Sequence, residues 1–160
     1  MFFEISYQLE SIDGCSLASD GTSLAVQGLS VKQNPVLIDL DTATGSVNKF
    51  INIEYEYDLS SEPPSYDLYG AVYYDKTDYR DGLPNWFASF VKDGQMYSMK
   101  ISDDEEVGIL TDWNLEFRTF DTIDSNEPRF LQPADNINEM LLIGRQYGKG
   151  SVFKFNKARG

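Results

Sequence analysis

Ser16-Leu-Ala-Ser-Asp20-Gly21-Thr-Ser-Leu24-Ala-Val26, then Val36-Leu-Ile-Asp39-Leu-Asp41-Thr-Ala-Thr-Gly45, then Val47 to Phe50, is the stretch that decides the fold. Leu24–Val26 and Pro35–Ile38 are short apolar runs, each bounded by turn residues. An Asp-Gly pair supplies the positive backbone torsions of a tight turn, because glycine has no Cβ to clash there. The same grammar continues outward. Tyr97, Met99 and Ile101 alternate with Ser98 and Lys100, and Phe153 and Phe155 share one side of Val152–Phe155. Further turn signals stand at Asp13-Gly14, Asp81-Gly82, Asp93-Gly94 and Lys149-Gly150. Ten tyrosines and ten phenylalanines suit pleated, half-buried surfaces. Many short runs with frequent turns predict an all-β chain of antiparallel sheets, forming one domain over residues 1–160.

At most one or two short helical turns are expected. Ser102-Asp-Asp-Glu105 has capping-box spacing, with Val107, Leu110, Trp113 and Phe117 near helical spacing behind it. Gly108 and the neighbouring threonine and asparagine oppose a helix, so strand-turn-strand is the expectation there. Pro133 can open one helical turn that leads into a strand ending near Ile143.

Residues 12–50 resemble a blade of a WD40-like β-propeller: a small-residue strand, an Asp-Gly turn, an apolar strand, then a strand closing on a threonine-glycine turn. A second blade-like unit runs from Trp86-Phe-Ala-Ser-Phe90 through Lys92-Asp93-Gly94 and Met96–Ile101 to Val107–Leu110. A third runs from Arg129-Phe-Leu131 through Pro133, Met140–Ile143 and Gly148-Lys-Gly150 to Val152–Phe155. The Gly-His and Trp-Asp pairs of such blades are missing. The resemblance implies an incomplete propeller of about three blades, short of the typical 4–8, completed within a larger protein or by association. An ordinary β-sandwich is the alternative.

Composition narrows the function. Twenty-six acids against 13 bases give a net charge of −13. Residues 1–139 hold all 26 acids and eight bases, a net of −18, whereas residues 140–160 hold five bases and no acid. An acidic body repels a phosphate backbone, which disfavours nucleic acid as a partner. No run approaches the roughly 18 apolar residues of a membrane helix, so no membrane partner is expected. Cys15 is the lone cysteine, so no internal disulfide can form and a reducing cytoplasm is the expected compartment.

Catalytic motifs are absent. Without histidine there is no Ser-His-Asp triad, Cys-His pair or His-ligated metal. Cys15 follows Asp13-Gly14 with no base near it and reads as a small buried hydrophobe. The glycines at 144, 148 and 150 lack phosphate-loop spacing. Asp39-Leu-Asp41-Thr-Ala43-Thr-Gly45 begins like a calcium loop but carries alanine at the fifth position, and Asp121–Glu127 also fails the template. Neither metal nor cofactor is expected. A hydrolase built on carboxylates alone is the one enzymatic alternative.

The remaining signal is the stretch from Glu54 to Asn85, where tyrosines interleave with acids around Pro63-Pro64. Tyrosine beside carboxylate suits a protein interface. The candidate contacts are Tyr55, Tyr57, Tyr66, Tyr74, Tyr79, Glu54, Glu56, Asp58 and Asp78. The expectation is a non-enzymatic interaction module whose acidic, tyrosine-rich face holds a protein with a basic surface, as a homo-oligomer or complex subunit. Two alternatives share this composition: an inhibitor or immunity-type protein that neutralises a basic enzyme, and a carbohydrate-binding domain that stacks sugars on its aromatics.

Overall fold

Apolar alternation and turn chemistry generate strands throughout the computed structural model, which describes residues 9–55, 66–76, 85–92, 95–102, 107–110, 117–118, 126–136, 139–146 and 148–156. In chain order the strands are β1 (Leu9–Leu17), β2 (Ser23–Ser30), β3 (Pro35–Asp41), β4 (Val47–Tyr55), β5 (Tyr66–Asp75) and β6 (Asn85–Lys92). They continue with β7 (Gln95–Ser102), β8 (Val107–Leu110), β9 (Phe117–Arg118), β10 (Asn126–Pro133), β11 (Glu139–Gln146) and β12 (Lys149–Asn156). No helix occurs among the described residues, and the fold is all-β.

Three sheets result. The first has the order β1-β2-β3-β4-β8, the second β5-β6-β7-β9 and the third β10-β11-β12. Neighbours are antiparallel except β8, which runs parallel to β4. The second sheet is the middle layer. Val72, Tyr74, Trp86, Ala88 and Phe90 face Ala25, Leu29, Leu37, Ile51 and Ile53 of the first sheet. Their alternates Ala71, Tyr73, Phe87 and Val91 face Leu131, Met140 and Leu142 of the third. A strand covered on both sides needs apolar residues at successive positions, and β5 and β6 carry them in Gly70–Tyr74 and Trp86–Val91, where Ser89 is the one polar residue. Each fully buried large side chain of this kind contributes about 1.5–3 kcal/mol.

The first strands of the sheets converge: β5 touches both β1 and β10, and β1 also touches β10. Close approach depends on glycine. A Cβ on Gly14 would lie 2.5 Å from the Gly70 carbonyl oxygen. Asp13-Gly14 is therefore not the expected turn. It lies within β1, where the register slips between Ile12 and Gly14, and the glycine lets two backbones meet. A matching slip separates Pro128 from Phe130 in β10.

Two turns form as read, whereas Asp81-Gly82 and Asp93-Gly94 lie outside the described residues. Gly21 and Gly45 take positive φ of 72° and 73°. Asp20 Oδ1 accepts the Thr22 N–H at 3.0 Å, and Asp41 Oδ1 accepts those of Ala43 and Thr44 at 2.9 and 2.7 Å. These backbone bonds hold both carboxyls below the usual range. The turn between β11 and β12 uses Gly148 (φ 71°), while Lys149-Gly150, expected as the turn, already belongs to β12.

Four further expectations change or resolve. The unit read from Trp86 to Leu110 begins earlier, with β5, and its last segment β8 leaves it to satisfy the open edge of β4. Between Ser102 and Arg118 the described residues are strands, as strand-turn-strand requires; residues 103–106 and 111–116 lie outside the described set. After Pro133 there is no helical turn among the described residues. Pro133 pairs with Met140, so the connection is a hairpin, closed by Ala134 N–H on Glu139 O at 3.0 Å. Cys15 is exposed rather than buried, because β1 is an edge strand and Cys15 points away from the second sheet. No helix among the described residues is long and apolar enough to cross a membrane.

Candidate interaction surface

The tyrosine-acid stretch is only partly placed. Tyr74 is 5% exposed and is no contact residue: it packs on Trp86 and faces the first sheet. Glu54 and Tyr55 end β4 beside Ile109 and Leu110 of β8, whereas Tyr66 opens β5 in another sheet. Glu56, Tyr57, Asp58, Asp78 and Tyr79 lie outside the described residues.

A different surface emerges on the third sheet. Strand pairing sets Phe130 opposite Ile143 and Ile143 opposite Val152, forming one cross-strand row on the side facing away from the second sheet. Phe130 is 57% and Val152 64% exposed, with Ile143 half-buried between them. Charge flanks the row on both sides. On one side Glu127 Oε2 meets Arg129 at 3.0 Å and Arg145 at 3.9 Å. On the other, Lys154 Nζ meets Glu139 at 2.9 Å. The second pair borders a cleft of about 380 Å³ lined by Gln132, Pro133, Asp135, Asn136 and Leu141. An apolar centre with a polar rim is the anatomy of a protein interface.

The sequence reading missed this row, although a signal was present. Met140-Leu-Leu-Ile143 is apolar at four successive positions, so both faces of β11 are apolar, as in the doubly covered β5 and β6. Only Met140 and Leu142 are buried inside the molecule.

At the other end of the stack, β1 turns Ile12, Cys15 and Leu17 outward. Pairing places them beside Gly28, Val26 and Leu24 on the face opposite the second sheet. Ile12 and Leu17 are exposed, while Val26, Val36 and Ile38 are buried further along that face. Burial raises the pKa of the nearby Asp13 carboxyl above its ordinary value.

The charged cluster at one end of the interface between the first two sheets is structural. Lys76 Nζ lies 3.5 Å from carboxylate oxygens of both Asp20 and Asp39, and 5.2 Å from the centre of the Tyr74 ring. Lys76 N–H donates to Ser19 Oγ at 2.7 Å, and Ser19 N–H to Tyr74 O at 3.0 Å. One cation thus ties the end of β5 to the β1–β2 turn and to β3 of the first sheet, and Asp39 Oδ2 also accepts from Asn48 Nδ2 at 3.3 Å. No group of three or more His, Cys, Asp or Glu among the described residues could hold a metal ion. No family model and no curated protein matches the chain.

Proposed function

We propose that this chain is a non-enzymatic protein-interaction module and a subunit of a larger assembly, binding through the outer face of its third sheet. The observation that carries the reading is the exposed row Phe130–Ile143–Val152 between two sets of ion pairs. Large apolar side chains grouped on a sheet face gain most from being covered by another protein. Glu54, Tyr55, Glu56, Tyr57, Asp58, Tyr66, Asp78 and Tyr79 supply a salt-sensitive attraction for basic partners.

The test is capture from an extract of the cells that make the protein, using the immobilised chain and its Phe130→Asp and Val152→Asp variants at low and high salt. Partners held by the native chain should be lost from both variants, and weakened by salt. Identical capture by all three would refute the reading.

A further inference from the structure

Each sheet has two edge strands: β1 and β8 in the first, β5 and β9 in the second, β10 and β12 in the third. An edge strand presents unpaired N–H and C=O groups, and proteins protect such edges with bulges, short strands or cover. Every edge but one is protected in this way. β1, β5 and β10 each slip register against their neighbours and pack on one another. β8 has four residues and β9 two, and each closes the outer edge of its sheet.

β12 is the exception. It has eight residues and pairs with β11 from Lys149 on Gln146 to Asn156 on Glu139 with no slip. Among the described residues no strand lies on its other side. In an antiparallel ladder alternate residues turn their N–H and C=O groups away from the partner strand. Every second residue of β12 therefore offers its backbone outward, along one unbroken line. A lysine on an edge can act as a guard charge. Lys154 is instead engaged with Glu139 of β11 at 2.9 Å.

The two faces of β12 dictate what an added strand must carry. Phe153 packs on the cluster between the second and third sheets that contains Phe87, Met140 and Leu142. Apolar side chains on that face extend an existing layer. Val152 and Lys154 are exposed on the other face. Residues 140–160 hold five bases and no acid, so acidic side chains beside Lys154 meet charge of opposite sign.

We propose that β12 binds an extended segment of a partner protein by strand addition, and that this segment alternates apolar with acidic residues. Backbone bonds along the edge supply the affinity, and the alternating side chains supply the selectivity. This rests on the interaction reading above and names the chemistry of the partner segment.

The probe is a fluorescently labelled peptide as long as β12 that alternates valine with glutamate, followed by anisotropy. It should bind the native chain, and lysine in place of glutamate should weaken binding at least about tenfold. N-methylation of one alternate set of its residues removes the N–H groups that face β12. That change should weaken binding more than about tenfold, because several backbone bonds are lost together. Methylation of the other set should leave the affinity within about twofold, since those groups face solvent. Hydrogen exchange with bound peptide should slow at alternate amides of β12 and not in β1. No binding at millimolar peptide overturns the inference, as does binding indifferent to both methylations or to the lysine exchange. If the peptide fails but capture from extract still depends on Phe130 and Val152, the interaction reading stands and strand addition alone falls.

Discussion

Tyr74 lies flat on Trp86, with ring centroids 4.0 Å apart and planes 6° from parallel. The two residues are cross-strand partners on β5 and β6, and both face the first sheet. Lys76 sits beyond the tyrosine ring and pairs with Asp39 of β3. Aromatic packing and charge are therefore joined at one end of the interface between the first two sheets.

Trp86 is fully buried. Trp86→Ala removes its packing against both Tyr74 and the first sheet and should cost about 3–5 kcal/mol. Urea unfolding followed by far-UV circular dichroism measures it. A loss below about 1 kcal/mol would mean that the stack does not hold the sheets together.

Lys76→Met leaves Asp39, only 6% exposed, without its cation. Breaking such a pair from one side should cost roughly 3 kcal/mol, because the carboxylate stays buried and uncompensated. Asp39→Asn combined with Lys76→Met should cost less than Lys76→Met alone. A double-mutant cycle at neutral pH tests this, and strict additivity would contradict the contact.

Gly14→Ala drives a methyl group into the Gly70 carbonyl, where only backbone could yield. A loss of about 1–3 kcal/mol is expected. Gly150→Ala is the control, since nothing lies within 4 Å of its added Cβ. It should change stability by no more than about 0.5 kcal/mol. Equal effects at the two sites would contradict the close approach of β1 to β5.

Tyr73 has its hydroxyl pKa pushed up to about 12, by burial first and by the charge of Asp75 second, with Ser19 opposing. Its unfolded value is near 10. The folded state therefore keeps a proton that the unfolded state releases. Its contribution to stability is complete below pH ~10 and is lost as the pH rises toward about 12. Tyr73→Phe should flatten that alkaline decline in urea midpoints measured from pH 9 to 12. An unchanged slope would mean that Tyr73 ionises normally.

Local reading succeeded where local chemistry decides. Asp20-Gly21 and Asp41…Gly45 make turns because the aspartates bond nearby N–H groups and the glycines accept positive φ, whatever lies beyond them. It failed at Asp13-Gly14, where the same dipeptide serves a bulge and a backbone contact with Gly70, some 56 residues away in sequence. Tyr74 misled in the same manner. A tyrosine among acids looks like a contact residue until the pairing of β5 with β6 lays it on Trp86.

From the amino-acid order alone came the all-β class, the turns at Gly21 and Gly45, the lack of a histidine-based site and the split between an acidic body and a basic end. These follow from periodicity, backbone torsion and charge, which are properties of neighbours along the chain. Only the tertiary structure decided which of two apolar strand faces is covered. Both faces of β11 carry leucine or isoleucine, and nothing local distinguishes Leu142, buried against the second sheet, from the Ile143 row that faces outward. Burial is a relation between distant segments, and it is fixed only when the sheets stack.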